Sequence, residues 1–147
     1  MATYSFLDVH ATFSGPGASI NMGQGAAIAD EGIEIEAAED INTMNVASDG
    51  TPMHSLHGNK GGHVRVRCLK TSPLNQQLMQ VFNLQTSSSA LHGQNIITVA
   101  NPVTNDNISC QAVAFKKAPT LTYAKEGGMN VWEFDAGVIY RTLGAAT

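Results

Sequence analysis

The chain has 147 residues, 43% of them hydrophobic, with 12 acidic against 8 basic side chains and two cysteines. That is the length of one domain, 1–147, able to bury a core of its own. There is no run of about 18 apolar residues to cross a membrane, no basic-then-apolar leader or lipid anchor at the N-terminus, and no disulfide framework. A soluble protein made in a cytoplasm, with no membrane binding and with Cys68 and Cys110 as free buried thiols, is therefore expected.

Residues 4–14 are predicted as a strand with Leu7, Val9, Ala11 and Phe13 on one face. The glycine-rich stretch 15–32 reads as a hairpin with a mobile tip, and 19–22 as a short strand within it. Alternation over 33–37 makes a strand that displays Glu34 and Glu36 together, opposite Ile33 and Ile35. Strands at 42–47 and 52–56 flank a Ser48-Asp49-Gly50 turn, followed by a loop over 57–62.

Period-two alternation then places Val64, Val66 and Cys68 toward a core and Arg65 and Arg67 outward. Directly after it comes a helix at about 73–86, with Ser72 as its N-cap, Pro73 where a missing donor costs nothing, and Leu74, Leu78, Val81, Phe82 and Gln85 on one stripe. Beyond a polar exit at 87–93, strands are expected at 95–100 and 108–116. A closing hairpin is expected from 120–125 and 130–141, with Trp132, Phe134, Ala136, Val138 and Tyr140 on one side. The pattern predicts a mainly β fold of two packed antiparallel sheets, sandwich- or barrel-like, with the helix covering an edge or open corner.

Charge is unevenly divided. No Lys or Arg precedes Lys60, whereas eight acids do; from Lys60 onward eight bases face four acids. Such a division suits complementary faces on neighbouring copies, an acidic surface kept for a purpose, or two halves interleaved into one mixed surface.

The run Gly-Gly-His-Val-Arg-Val-Arg-Cys-Leu-Lys-Thr-Ser-Pro-Leu-Asn-Gln-Gln-Leu at 61–78 resembles the central segment of bacteriophage tail tube proteins. The opening Tyr4-Ser5-Phe6-Leu7-Asp8-Val9, the closing Trp132-Glu133-Phe134 and the order of strands around one helix extend the resemblance over nearly the whole chain. It implies a structural protein of contractile tails: six subunits close a ring, rings stack helically into a tube, and DNA passes through the lumen without sequence-specific binding. The partners implied are further copies of the chain, the tail sheath protein, and baseplate and tail terminator proteins. The place implied is the virion tail, assembled in the host bacterial cytoplasm.

A channel that lets DNA pass should offer few cations, because DNA binds proteins by exchanging counterions for Lys and Arg. Glu34 and Glu36 are the candidate lumen-facing acids; their competing use is pairing with Arg65 and Arg67 across a subunit contact. Arg65, Arg67, Asp49 and Lys60 are the candidate inter-subunit contacts, with the glycine-rich section, the 49–62 loop and the termini available for stacking.

No catalytic, cofactor-binding or metal site is expected. His54, His57, His63 and Cys68 lack zinc spacing, 58–62 lacks the Gly-Lys-Ser/Thr ending of a phosphate loop, and no Gly-x-Ser-x-Gly elbow occurs. The acids of 30–40 read as a solvated face rather than a glycosidase pair. A head-decoration or tail-completion protein, the tube of a phage-tail-like secretion device, and a carbohydrate-binding sandwich are the alternatives.

Overall fold

The protein is described from a computed structural model covering residues 3–5, 8–23 and 28–144. Its elements in chain order are β1 (His10–Gly15), β2 (Ala18–Gly23), β3 (Ile28–Ala37), β4 (Asn42–Val46), β5 (Pro52–Leu56), β6 (Gly62–Leu69), α1 (Pro73–Gln85), β7 (Asn95–Asn101), β8 (Asp106–Lys117) and β9 (Met129–Thr142). The fold is mainly β with one helix, as the sequence pattern predicts. Its two antiparallel sheets are very unequal: one has seven strands in the order β2-β1-β7-β8-β9-β6-β3, the other is the β4–β5 hairpin.

The large sheet curls over on itself. Strands β1 and β9 are three places apart in its order, which in a flat sheet of roughly 4.8 Å spacing would separate them by about 14 Å. Yet the rings of Phe13 and Phe134, on those two strands, have centroids 5.8 Å apart. Phe115 stacks obliquely between them, 5.7 Å from Phe13 and 4.9 Å from Phe134. One core therefore fills the inside of the curl, with Val64, Val66, Cys68, Ile97, Cys110, Val113 and Trp132 fully buried around it.

Helix α1 lies on the open side. Its start is held as the sequence predicts: Ser72 Oγ accepts from the Leu74 backbone N–H, and Pro73 opens the helix. Leu74, Leu78 and Val81 enter the core, and Phe82 meets Phe115 edge-on at 5.4 Å. Asn75 fixes the strand-to-helix turn. Its Nδ2 donates to the carbonyls of Leu69 and Lys70, while its Oδ1 accepts from Trp132 Nε1 at 3.0 Å and from the Cys68 thiol. At the other end Gln85 and Asn95, both buried, exchange amide hydrogen bonds of 2.7 and 2.6 Å. The backbone of Gly15 approaches so closely that a Cβ there would stand 1.8 Å from Asn95 Oδ1.

Three expectations change. The first strand begins at His10 rather than residue 4; Val9, Ala11 and Phe13 are buried as predicted, while Phe6 and Leu7 lie outside the described residues, as does 24–27 of the glycine-rich section. Residues 120–125 form no strand, because β9 is already paired with β8 on one side and β6 on the other. In β9 the buried face switches: Trp132, Phe134 and Ala136 point inward, but Ile139 then takes the inner position and Tyr140 is exposed. The switch occurs where Ala112 of β8 adopts φ 53° between the pairs Gln111↔Val138 and Val113↔Ala136. Gly137 sits opposite, and a Cβ on it would come within 2.9 Å of the Ala112 methyl.

Candidate functional site

The outer face of β3, β6, β9 and β8 carries a continuous charge network, and strand register builds it. Glu34 stands opposite Arg65, which stands opposite Glu133, which stands opposite Lys117. One pleat along, Glu36 faces His63, which faces Asp135. Arg65 Nη1 donates to Glu36 at 2.8 Å and lies 3.6 Å from Glu34, and its Nε donates to Glu133 at 3.4 Å. Arg67 reaches Glu34, with Nη1 at 3.0 Å and Nη2 donating at 3.3 Å. His63 Nδ1 is 2.7 Å from Asp135, and Lys117 is 3.5 Å from Glu133.

Four of the six predicted site residues thus converge, and Glu34 and Glu36 meet Arg65 and Arg67 within a single chain. The layering of the network matters more than its sum. The side chains of Glu34 and Glu36 are 49% and 58% exposed, those of Arg65 and Arg67 only 30% and 21%. Over β3 and β6, carboxylates therefore form the outer layer above guanidinium groups, whereas at β8 and β9 the order reverses, with Lys117 64% exposed and Glu133 21%. Arg65 holds the Glu36 carboxyl below its ordinary range by hydrogen bonding and by charge, and Glu36 in turn raises Arg65.

Asp49 and Lys60 lie apart from this face. Asp49 sits in the β4–β5 turn, where its Oδ1 accepts from the Thr51 N–H and its carboxyl is lowered by that bond; Gly50 beside it takes φ 90°. Lys60 is in the loop before β6, its carbonyl accepting from Ile139. Sequence reasoning missed Glu133, Asp135, His63 and Lys117 as members of the network. The outward alternation of His63, Glu133 and Asp135 was visible in the sequence, but the pairing of β9 with β6 and β8 was not; Lys117 has the parity of buried Val113 and Phe115, and a register shift between Phe115 and Lys117 sets it opposite Glu133.

The hairpin is the second distinctive surface. Every residue of β4 is exposed, and Met44, Val46, Met53 and Leu56 show large apolar side chains, Leu56 at 84%. Side-chain hydrogen bonds brace it internally, Asn42 to His54 at 3.2 Å and Thr43 to His57 at 2.7 Å. Among the described residues no cluster of histidine, cysteine and carboxylate groups suits a metal ion, and no helix is long and apolar enough to cross a membrane. Cys68 and Cys110 are buried free thiols, both pushed up to about 11 by burial.

The family described as bacteriophage PhiTE tail tube protein matches residues 1–144. The chain belongs to the phage tail tube family. Among curated proteins none matches it in sequence, but solved structures share the tail tube fold. A chain in the sheath–tube complex of an extracellular contractile injection system in its extended state superposes with a TM-score of 0.56 at 10% identity, over 90% of this chain and 88% of the other. One in the sheath/tube terminator of such a system gives 0.55 at 10% identity, over 90% and 92%. One in the tube-terminating cap of the anti-feeding prophage gives 0.51 at 7% identity, over 91% and 88%. At such identities the likeness is one of fold.

Proposed function

We propose that the chain, as a single tail tube domain over 1–147, polymerises into stacked hexameric rings that form the inner tube of a contractile tail and conduct DNA during ejection. The observation that carries this reading is the family match over residues 1–144. The strand order supports it: β2 and β3 stand at the two ends of the curled sheet, and strands at an edge can recruit those of a neighbouring copy. The chain acts through its interfaces, with no catalytic group and no cofactor, as a virion component assembled in the host bacterial cytoplasm. Sheath, baseplate and terminator proteins are its partners in this reading, the first and last supported by structural neighbours from sheath–tube and terminator assemblies.

Glu34 and Glu36 line the lumen in this reading. They overlie Arg65 and Arg67, so phosphates passing β3 and β6 meet carboxylates first and find those two cations covered and less able to exchange counterions. Asp49, Lys60 and the loop around them serve stacking between rings. The tube of a phage-tail-like injection device is the second reading, favoured by the fold of the same neighbours; there the cargo would differ and the tube would not.

Negative-stain electron microscopy over a concentration series tests assembly, with hollow tubes or stacked six-fold rings expected. Reversal of both acids, Glu34→Lys with Glu36→Lys, should leave tubes intact and impair DNA delivery. Loss of polymerisation by a variant that keeps the parent's circular dichroism and thermal midpoint would instead assign the two acids to a subunit contact. Tube formation by a chain lacking residues 51–60 would remove the loop from stacking.

A further inference from the structure

Two exposed apolar surfaces sit at opposite ends of β6. The β4–β5 hairpin is rooted at one end, where the Ala38 N–H donates to the Gly61 carbonyl. At the other end the Lys70 N–H donates to the carbonyl of Gly128, anchoring the irregular strap formed by 118–128. The strap is pinned further by Lys70, whose ammonium bonds the Thr122 carbonyl and lies 3.9 Å from the centre of the Tyr123 ring. Nine residue steps, from Gly61 to Lys70, separate these anchors, about 30 Å of extended chain.

Register puts Met44 opposite His54, Val46 opposite Pro52 and Asn42 opposite Leu56. Residues opposite one another share a face. Met44, Val46, Pro52 and Leu56 therefore share one side of the hairpin, exposed throughout, with the hydrogen-bonded pair Asn42 and His54 between them. The strap exposes Leu121 and Tyr123, the latter at 83%, beside the exposed pair Leu69 and Met129. Between strap and sheet runs a groove of about 290 Å³, lined by Lys117, Thr120, Thr122, Met129, Val131 and Glu133. Charges at the two ends are opposite in kind. Glu39, Asp40 and Asp49 flank the hairpin strands against Lys60, whereas Lys70, Lys116, Lys117 and Lys125 surround the strap against Glu126 and Glu133, so the hairpin end is acidic and the strap end basic on balance.

We propose that the apolar face of the β4–β5 hairpin of one copy docks against the 118–128 strap and its groove on a second copy. This deepens the tube reading and rests on it, naming the surface that receives the hairpin. A second copy is the occupant because the acidic apolar hairpin and the basic apolar strap complement one another. Placement at opposite ends of β6 makes the contact head-to-tail, so each copy offers a free hairpin at one end and a free strap at the other. Such heterologous contacts propagate.

The test mixes full-length chains carrying Leu56→Cys with full-length chains carrying Tyr123→Cys, under copper-phenanthroline oxidation, with disulfide-linked dimers read on non-reducing gels. Leu121→Cys replaces Tyr123→Cys if the strap loosens. The native thiols are buried and both new positions are exposed. Mixed dimers, with either strap cysteine, should exceed by at least tenfold those from Leu56→Cys paired with Val103→Cys, a position off the strap that is 50% exposed, as Leu121 is at 51%. Yields no higher than that control overturn the docking, whether or not the samples assemble. Micrographs of the same samples separate the two ideas: tubes without excess linkage keep the tube and remove this contact, and linkage without tubes does the reverse.

Discussion

The β6–β9 pair and the β4–β5 hairpin are both short antiparallel ribbons, yet they divide the work of the molecule between them. In the first, Val64 and Val66 stand opposite Phe134 and Trp132 with all four side chains fully buried, and the reverse face is laced by ion pairs. In the second, Met44, Val46, Met53 and Leu56 are as apolar as a core yet are more than half exposed. An isolated two-stranded ribbon is marginal in water, and exposed apolar groups of this density are kept for a partner. Stability is therefore stored in the curled sheet and, in the docking proposed above, association in the hairpin.

The sharpest way to break that comparison is to truncate one apolar side chain from each region. Phe134→Ala removes a ring packed against Phe13 and Phe115 and should cost about 3–5 kcal/mol. Leu56→Ala should change stability by less than about 0.5 kcal/mol, while weakening assembly. Urea midpoints of the two variants, measured on dilute protein, check both; comparable losses would mean that the hairpin packs on its own chain.

Alkaline pH probes the core alone. Burial raises the thiols of Cys68 and Cys110 to about 11, against an ordinary value of 9.0. Between those values the unfolded chain has released protons that the folded chain retains, so stability falls as pH rises from 9 to 11. The loss is on the order of 2–3 kcal/mol per thiol at the upper end. Replacing both cysteines by alanine should flatten this limb of a thermal-midpoint profile, and an unchanged slope would locate the titration elsewhere.

The same division governed what the sequence made legible. Capping and spacing around Ser72, Pro73 and Asn75 are local, and the helix stands where they place it. Alternation identified the inward faces of β1 and β6 because each strand keeps one face throughout. It failed in β9, where the Ala112–Gly137 kink reverses inside and outside, and no local pattern marks a positive φ at an alanine. The charge network was half visible for a related reason. Glu34, Glu36, Arg65 and Arg67 could be singled out from their own strands, but which of them pair, and through Glu133 to Lys117, is decided by strand order. Strand order is a property of the whole fold.

Mild acid probes the outer face and gives the smallest effect. Glu36 is held below its ordinary 4.5 by Arg65, and Asp49 below its ordinary 3.8 by the Thr51 N–H. A lowered carboxyl stabilises the folded state above its unfolded pKa and loses that contribution as pH falls through the folded value. The acid limb therefore begins below about pH 4.5, where Glu36 starts to protonate in the unfolded chain. Both groups are open to solvent, so salt should shrink their share. Glu36→Gln should lower the thermal midpoint slightly at pH 6, with the gap between variant and parent narrowing as pH falls below 4.5 and also in high salt. A gap that does not narrow below pH 4.5 would show that Glu36 acts through packing against the strand rather than through its charge on Arg65.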